Sequence, residues 1–180
     1  MAASKVRKLS GSAAKRPSCF VSYSTREPTG GLLTVLVWEV FHLEYRVRLT
    51  PSALTSGEGQ LRQIEEQISE CQFAVVCLDG LRPNVIHEWG YMRGQDKPTI
   101  VLNRDGATVD VVSILGPSAF PNMSNPALLM DMHLSNLKDI NRQTWFPGDP
   151  IRSVRVIWEE YRKLREKFSS LVAVKEPKLW

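Results

Sequence analysis

From Ser18 onward the chain alternates short apolar runs with longer stretches of helical periodicity, and that alternation predicts an α/β domain built on a mainly parallel sheet flanked by helices. Two further observations point the same way. At 180 residues with 43% hydrophobic content, the chain suits one compact domain around a single core. Its most apolar run, Phe73 to Leu78, is far too short to cross a membrane but reads as a strand buried on both faces, which a sheet covered by helices on each side requires.

Taken in order, Cys19-Phe20-Val21 with Ser22-Tyr23 reads as the first strand. Thr25 to Gly31, holding Pro28 and the Gly30-Gly31 pair, predicts a loop whose glycines supply flexibility, and Leu32 to Glu44 predicts an apolar helix. Arg46-Val47-Arg48-Leu49 alternates polar with apolar, as an edge or half-covered strand does. After a loop bracketed by Pro51 and Gly57, Leu61, Ile64 and Ile68 recur at helical spacing among Glu58, Arg62, Glu65, Glu66 and Glu70, giving an amphipathic helix over 58–70. Phe73 to Leu78 is the central strand, a helix follows from near Asn84, and Thr99 to Leu102 after Lys97-Pro98 supplies a fourth strand. Residues 104–141 contain Pro117, Pro121 and Pro126, with a helix expected at Ala127 to Leu134 and Met123, Met130 and Met132 read as core packing. A fifth strand is placed near Gln143 to Phe146. Ile151, Val154, Trp158, Tyr161, Leu164, Phe168 and Leu171 then define the core-facing stripe of a long last helix.

The net charge of +4 arises outside this framework. Residues 1–18 hold Lys5, Arg7, Lys8, Lys15 and Arg16 and no acid, which leaves eighteen bases against nineteen acids for the rest. The folded part is near neutral, so nucleic acid is not expected as a partner, and the basic stretch reads as a disordered arm. The organisation is therefore an arm over 1–18, one domain over 19–171 and a tail over 172–180. Cys19, Cys71 and Cys77 are odd in number and none pairs at a two-residue spacing, so reduced thiols and a cytoplasmic location follow. No membrane is expected as a partner. His42, His87 and His133 lack metal-ligand spacing, and there is no Walker-type loop and no Ser-His-Asp arrangement, so neither a metal nor a bound cofactor is expected.

The densest chemistry follows the central strand, from Asp79 to Gly94. Pro83 disfavours helix for Arg82, while Asn84 is a good N-cap, so a helix starts there. Val85, Trp89 and Met92 then share the buried face, and Asn84, Glu88, Tyr91 and Gln95 share another turned toward the top of the sheet. Gly90 and Gly94 each cost about 1 kcal/mol in a helix, which points to close backbone approach. Open α/β sheets bind ligands beyond the carboxyl ends of their strands, where the strand order reverses. For the order 2-1-3-4-5 that point brings Ser22, Tyr23, Ser24 and Arg26 against Asp79, Asn84 and Glu88. Hydroxyls and an Arg suit phosphate or ribose oxygens, and a carboxylate suits a ribose hydroxyl or a developing positive charge.

A first strand ending Phe20-Val21-Ser22-Tyr23-Ser24, a Gly57-containing loop before the Ile64/Ile68 helix, a strand ending at Asp79, and Asn84-Val85-x-x-Glu88-x-Gly90-x-x-x-Gly94 with Lys97-Pro98 together resemble two related groups. One is the Toll/interleukin-1-receptor (TIR) domains, especially the bacterial TIR-like predicted nucleotide-binding group; the other is the nucleoside deoxyribosyltransferases. The match covers about residues 19–103. The resemblance implies a flavodoxin-like open parallel sheet of about five strands in the order 2-1-3-4-5, with helices on both faces. It also implies cleavage of an N-glycosidic bond, with Glu88 as the catalytic carboxylate and NAD⁺ or a related nucleotide as substrate, in defence or signalling. Ser22, Tyr23, Ser24, Arg26, Asp79, Asn84, Gly90 and Tyr91 are then the substrate-binding set, with no metal. Two alternatives stay open: a deoxyribosyltransferase-like enzyme acting on a nucleoside, and a non-catalytic nucleotide-binding or scaffold module. Self-association through TIR–TIR contacts is expected of the first and third.

Overall fold

A computed structural model describes residues 16–24, 30–49, 58–79, 82–105 and 142–178. The expectations for most of the basic arm (1–15), for Arg26, for the Pro51–Gly57 loop and for the helix and methionines between 106 and 141 lie outside the described residues. The elements run β1 (Ser18–Ser22), α1 (Gly30–Phe41), β2 (Arg46–Leu49), α2 (Glu58–Glu70), β3 (Phe73–Cys77), α3 (Pro83–Gly94), β4 (Thr99–Arg104), β5 (Arg142–Trp145) and α4 (Pro150–Lys167). The five strands form one sheet in the order β2-β1-β3-β4-β5, every neighbouring pair parallel. The fold is thus the expected flavodoxin-like α/β sheet with helices on both faces.

Strand alternation sorts the core into two layers. Cys19 and Val21 of β1, Phe73, Val75 and Cys77 of β3, and Ile100 and Leu102 of β4 face α1 and α4. Phe20, Ala74, Val76 and Val101, between them in sequence, face α2 and α3. β3 is buried at all five positions because helices lie over both of its faces. Among the described residues no helix is long and apolar enough to cross a membrane.

Several boundaries shift for local reasons. Gly30 and Gly31, expected in a loop, form the first turn of α1. A Cβ on Gly30 would stand 2.6 Å from Tyr23 Cδ2 and 2.9 Å from the Ser24 carbonyl oxygen, so the helix enters directly beneath the end of β1 only because that position lacks a side chain. α3 begins at Pro83, with Arg82 as its extended N-cap and no side-chain cap, so Asn84 lies inside the first turn rather than at the cap. Proline needs no hydrogen-bond acceptor at the first helical position, and this moves the start forward. The end of α3 is a Schellman turn: Asp96 takes the left-handed conformation (φ 50°), its N–H donates to the Arg93 carbonyl, and the Lys97 N–H donates to that of Met92. Lys97 Nζ then donates to the carbonyls of Ser69 (3.0 Å) and Cys71 (2.6 Å), satisfying backbone groups at the end of α2.

α4 starts at Pro150 with Asp149 as N-cap, its carboxylate accepting from the Arg152 N–H at 3.0 Å. The stripe that faces the core is Val154, Ile157 and Tyr161, with Trp158, Leu164 and Phe168 packed at its margin. Ile151, expected to join it, is exposed. Beyond α4, three groups close a ring of hydrogen bonds. The Val172 N–H donates to Tyr45 Oη (2.9 Å), Tyr161 Oη donates to the Val172 carbonyl (2.6 Å), and the two phenols lie 2.7 Å apart. Since Tyr161 gives its proton to Val172, Tyr45 donates to Tyr161. The ring pins the start of the expected tail against the end of α1, in a cluster with Phe41 and Phe73.

Tyr45→Phe leaves the Val172 N–H and one Tyr161 lone pair without their partner, and we expect a loss of about 1–2 kcal/mol in urea unfolding. A second expectation concerns pH. Burial pushes all three thiols up from the ordinary cysteine value of 9.0, and burial raises Tyr45 and Tyr161 from 10.0. The folded state therefore keeps protons that the unfolded chain releases. Stability is complete below the unfolded values and falls as the pH rises through about 9 and above, with each thiol adding a slope approaching about 1.4 kcal/mol per pH unit. Urea midpoints measured from neutral to alkaline pH check this; a flat profile contradicts it.

Candidate functional site

In this strand order, β1 sends the chain to α1 on one face and β3 sends it to α3 on the other, so their carboxyl ends diverge into the crevice where such sheets bind ligands. Alternation along β1 turns Ser22 to the same side as Phe20, toward α3. On α3 the buried positions are Val85, Glu88, Trp89 and Met92, so Glu88 belongs to the buried stripe and not to the separate face expected for it with Asn84, Tyr91 and Gln95. The two meet: Ser22 Oγ donates to Glu88 Oε2, with Ser22 fully buried and Glu88 only 1% exposed. A carboxylate taken so far out of water needs hydrogen bonds to hold it, and the hydroxyl at the end of the buried strand supplies one.

The other expected residues divide between this crevice and elsewhere. Tyr23 covers Gly30 and packs on the α1/α4 core, and Ser24 is buried beside it. Asp79 is also buried, but its carboxylate is held by β4: Oδ1 accepts the Arg104 N–H at 2.6 Å and Oδ2 lies 4.0 Å from Arg104 Nε. It ties the ends of β3 and β4 together, and its negative charge adds to burial in raising the Cys77 thiol. Asn84 is exposed.

A Cβ on Gly90 or Gly94 meets no described residue within 4 Å, so packing among the described residues does not require either glycine. Tyr91 turns to α2, not to the top of the sheet: its hydroxyl lies 3.2 Å from Ser69 Oγ, which also accepts from Gln95 Nε2 at 2.9 Å. His87 stands 3.6 Å from Glu65 on the surface between the same two helices, a pair of small energetic weight.

Trp89, next to Glu88, is buried under the Arg93 guanidinium, 5.6 Å from its ring centroid. With Arg93, Asp96, Thr99, Val101 and Phe168 it lines a cavity of about 510 Å³ at the opposite, amino end of β4. Glu88 is not among the residues of that cavity. Among the described residues no three His, Cys, Asp or Glu side chains gather as metal ligands. What the sequence left unread was the direct pairing of Ser22 with Glu88. Counting two residues from Phe20 along the strand places Ser22 on the α3 side, and that signal was present.

No family model matches the chain, and no curated protein matches it. Four chains of solved structures do. One of them is a chain from the structure of the activated Roq1 resistosome directly recognizing the pathogen effector XopQ (TIR domains); it is 12% identical, with 86% of this chain and 92% of that one aligned at a TM-score of 0.42. Likeness at that level assigns neither activity nor site residues. Fold and site together define a flavodoxin-like α/β domain with a hydrogen-bonded carboxylate buried beside the ends of β1 and β3.

Because no described residue packs on Gly90, Gly90→Ala should raise stability by about 0.5–1 kcal/mol through helix propensity alone. Chemical denaturation checks the sign; destabilisation would mean that a neighbour packs on this position.

Proposed function

We propose that the chain is a nucleotide N-glycosidase that cleaves NAD⁺ or a related nucleotide, with Glu88 as its catalytic carboxylate. The observation that carries this reading is the carboxylate itself: ionisable, buried, oriented by Ser22 and placed beside the diverging strand ends. Departure of the base breaks the bond between the ribose C1′ and the ring nitrogen, whose electron pair leaves with the base. Positive charge is left on C1′ and the ring oxygen. A carboxylate in a weakly polar setting stabilises that charge strongly, or bonds to C1′ until water displaces it, releases a proton and leaves the free sugar nucleotide. Ser22 acts through Glu88 as a positioning residue, because its hydrogen bond fixes the rotation of the carboxylate about its last torsion.

In this reading Tyr23, Ser24 and Arg26, which follow Ser22 in sequence, would supply the contacts to ribose or phosphate oxygens. Asp79 serves the site by holding the neighbouring strand end. The three free thiols and the substrate both suit the cytoplasm, where we place its role in defence or signalling. The near-complete burial of Glu88 favours a second reading, in which the pair latches α3 to β1 in a non-catalytic nucleotide-binding module.

The test is to incubate concentrated protein, so that any self-association is populated, with NAD⁺ and separately with deoxynucleosides plus a second base. Release of nicotinamide or free base is then followed. The parent should turn over NAD⁺, and Glu88→Gln should lose at least about a hundredfold in kcat. Ser22→Ala should lose about tenfold in kcat with little change in KM, and Ser22→Thr should recover most of it. Base exchange on deoxynucleosides alone would move the chain to the transferase class. Nucleotide binding without turnover, with both variants merely less stable, would establish the latch.

A further inference from the structure

A cavity of about 510 Å³ opens beside the amino end of β4, a volume within the range of about 300–1,000 Å³ that holds small ligands. It lies where the sheet is ragged. β5 first pairs with β4 at Val101, opposite Arg142, so Thr99 and Ile100 stand ahead of the point where that edge is covered. The Ala74 N–H donates to the Pro98 carbonyl at 2.9 Å, and alternation along a parallel strand then turns the main-chain groups of Ile100 to β3 and those of Thr99 to the outer edge. Thr99 lines the cavity and brings to it one N–H and one C=O side by side. Its hydroxyl is engaged elsewhere, donating to the Lys97 carbonyl at 2.8 Å.

The walls suit a flat ring. Trp89 and Val101, each 8% exposed, make an apolar floor, and Phe168, the C-cap of α4, adds a second aromatic wall. The Arg93 guanidinium lies over the Trp89 ring, 5.6 Å from its centroid, so a plane that both stacks and carries charge borders the same space. The ionic groups of the cavity are Arg93, Asp96 and Lys97, two cations and one acid. Lys97 Nζ is held by the carbonyls of Ser69 and Cys71, while Arg93 and Asp96 are exposed. An apolar slot, a main-chain donor beside an acceptor, and a surplus of one positive charge thus meet in one place.

We propose that this cavity binds a purine nucleotide, separately from the crevice that holds Glu88. The base lies on the apolar floor with its hydrogen-bonding edge toward Thr99: a ring nitrogen or carbonyl oxygen accepts the Thr99 N–H, and the neighbouring N–H of the base donates to the Thr99 carbonyl. Every nucleobase has such an edge, and the two rings of a purine cover the most floor and wall, so stacking selects it. Arg93 pairs with the phosphate, and Asp96 accepts from the ribose hydroxyls. The Glu88 crevice lies beyond the carboxyl ends of β1 and β3 and this cavity at the amino end of β4, so the proposal does not rest on Glu88.

The test follows the Thr99 amide and Trp89 indole resonances of the full nitrogen-15-labelled chain as adenosine monophosphate, adenosine or ribose 5-phosphate is added to roughly 5 mM. The monophosphate should shift both resonances to saturation, adenosine should bind about tenfold more weakly, and ribose 5-phosphate should not saturate. Thr99→Pro removes the N–H that faces the cavity at the first residue of a strand, where proline is tolerated, and read at Trp89 it should weaken both adenine ligands at least about tenfold. Thr99→Val keeps that N–H and should bind as the parent does. Arg93→Gln should abolish the advantage of the monophosphate over adenosine, and Glu88→Gln should leave the shift at Thr99 as it is. Melting curves confirm that the variants are folded. No saturable shift, an equal response to ribose 5-phosphate, binding untouched by Thr99→Pro, or a Thr99 shift that vanishes in Glu88→Gln would each overturn the proposal.

Discussion

The hydrogen bond from Ser22 to Glu88 is the constraint on which the arrangement of this domain turns. A carboxylate removed from water costs several kcal/mol unless polar partners hold it, and here it sits in a stripe otherwise made of Val85, Trp89 and Met92. The partner has to come from β1, because β1 is the strand beneath the start of α3 on that face. It has to come from an α3-facing position at the strand's carboxyl end, which Ser22 is. An apolar side chain at position 88 would fill the same space at lower cost. The buried carboxyl group is thus a cost to stability placed beside the strand ends where such a topology builds its crevice, and that coincidence gives the enzymatic reading its weight.

The second buried carboxylate shows what a structural acid looks like in the same fold. Asp79 also ends a central strand and is also buried, yet its oxygens are spent on the backbone N–H and guanidinium of Arg104, and it raises the Cys77 thiol beside it. Its work is complete within the framework: it closes the gap where β4 outlasts β3. Glu88 instead accepts a hydrogen bond from a side-chain hydroxyl, that of Ser22. Two acids one strand apart are thereby given different tasks by the groups they face.

Much of this was legible in the sequence. Phe73 to Cys77 reads as a two-face strand and 58–70 as an amphipathic helix because burial on both sides and on one side leave unmistakable patterns. The strand order came from the resemblance to TIR domains and not from the residue pattern, which fixes no order among parallel strands. The misread positions share a cause, which is that periodicity says which residues can share a face and not what stands opposite. Gly30 was read as flexible when its use is to pass beneath Tyr23, a long-range contact. Gly90 and Gly94 were read as close approaches, and no described residue packs on either. Asn84 lost the cap to the residue before Pro83, since the proline is the stronger determinant of where the first turn begins. Tyr91 went to Ser69 because α2 lies beside α3, a neighbour relation that no local pattern encodes. On α4 the core chose Ile157 over Ile151, as Asp149 and Pro150 start the helix at the sheet's upper edge, where its first turn still projects past the core.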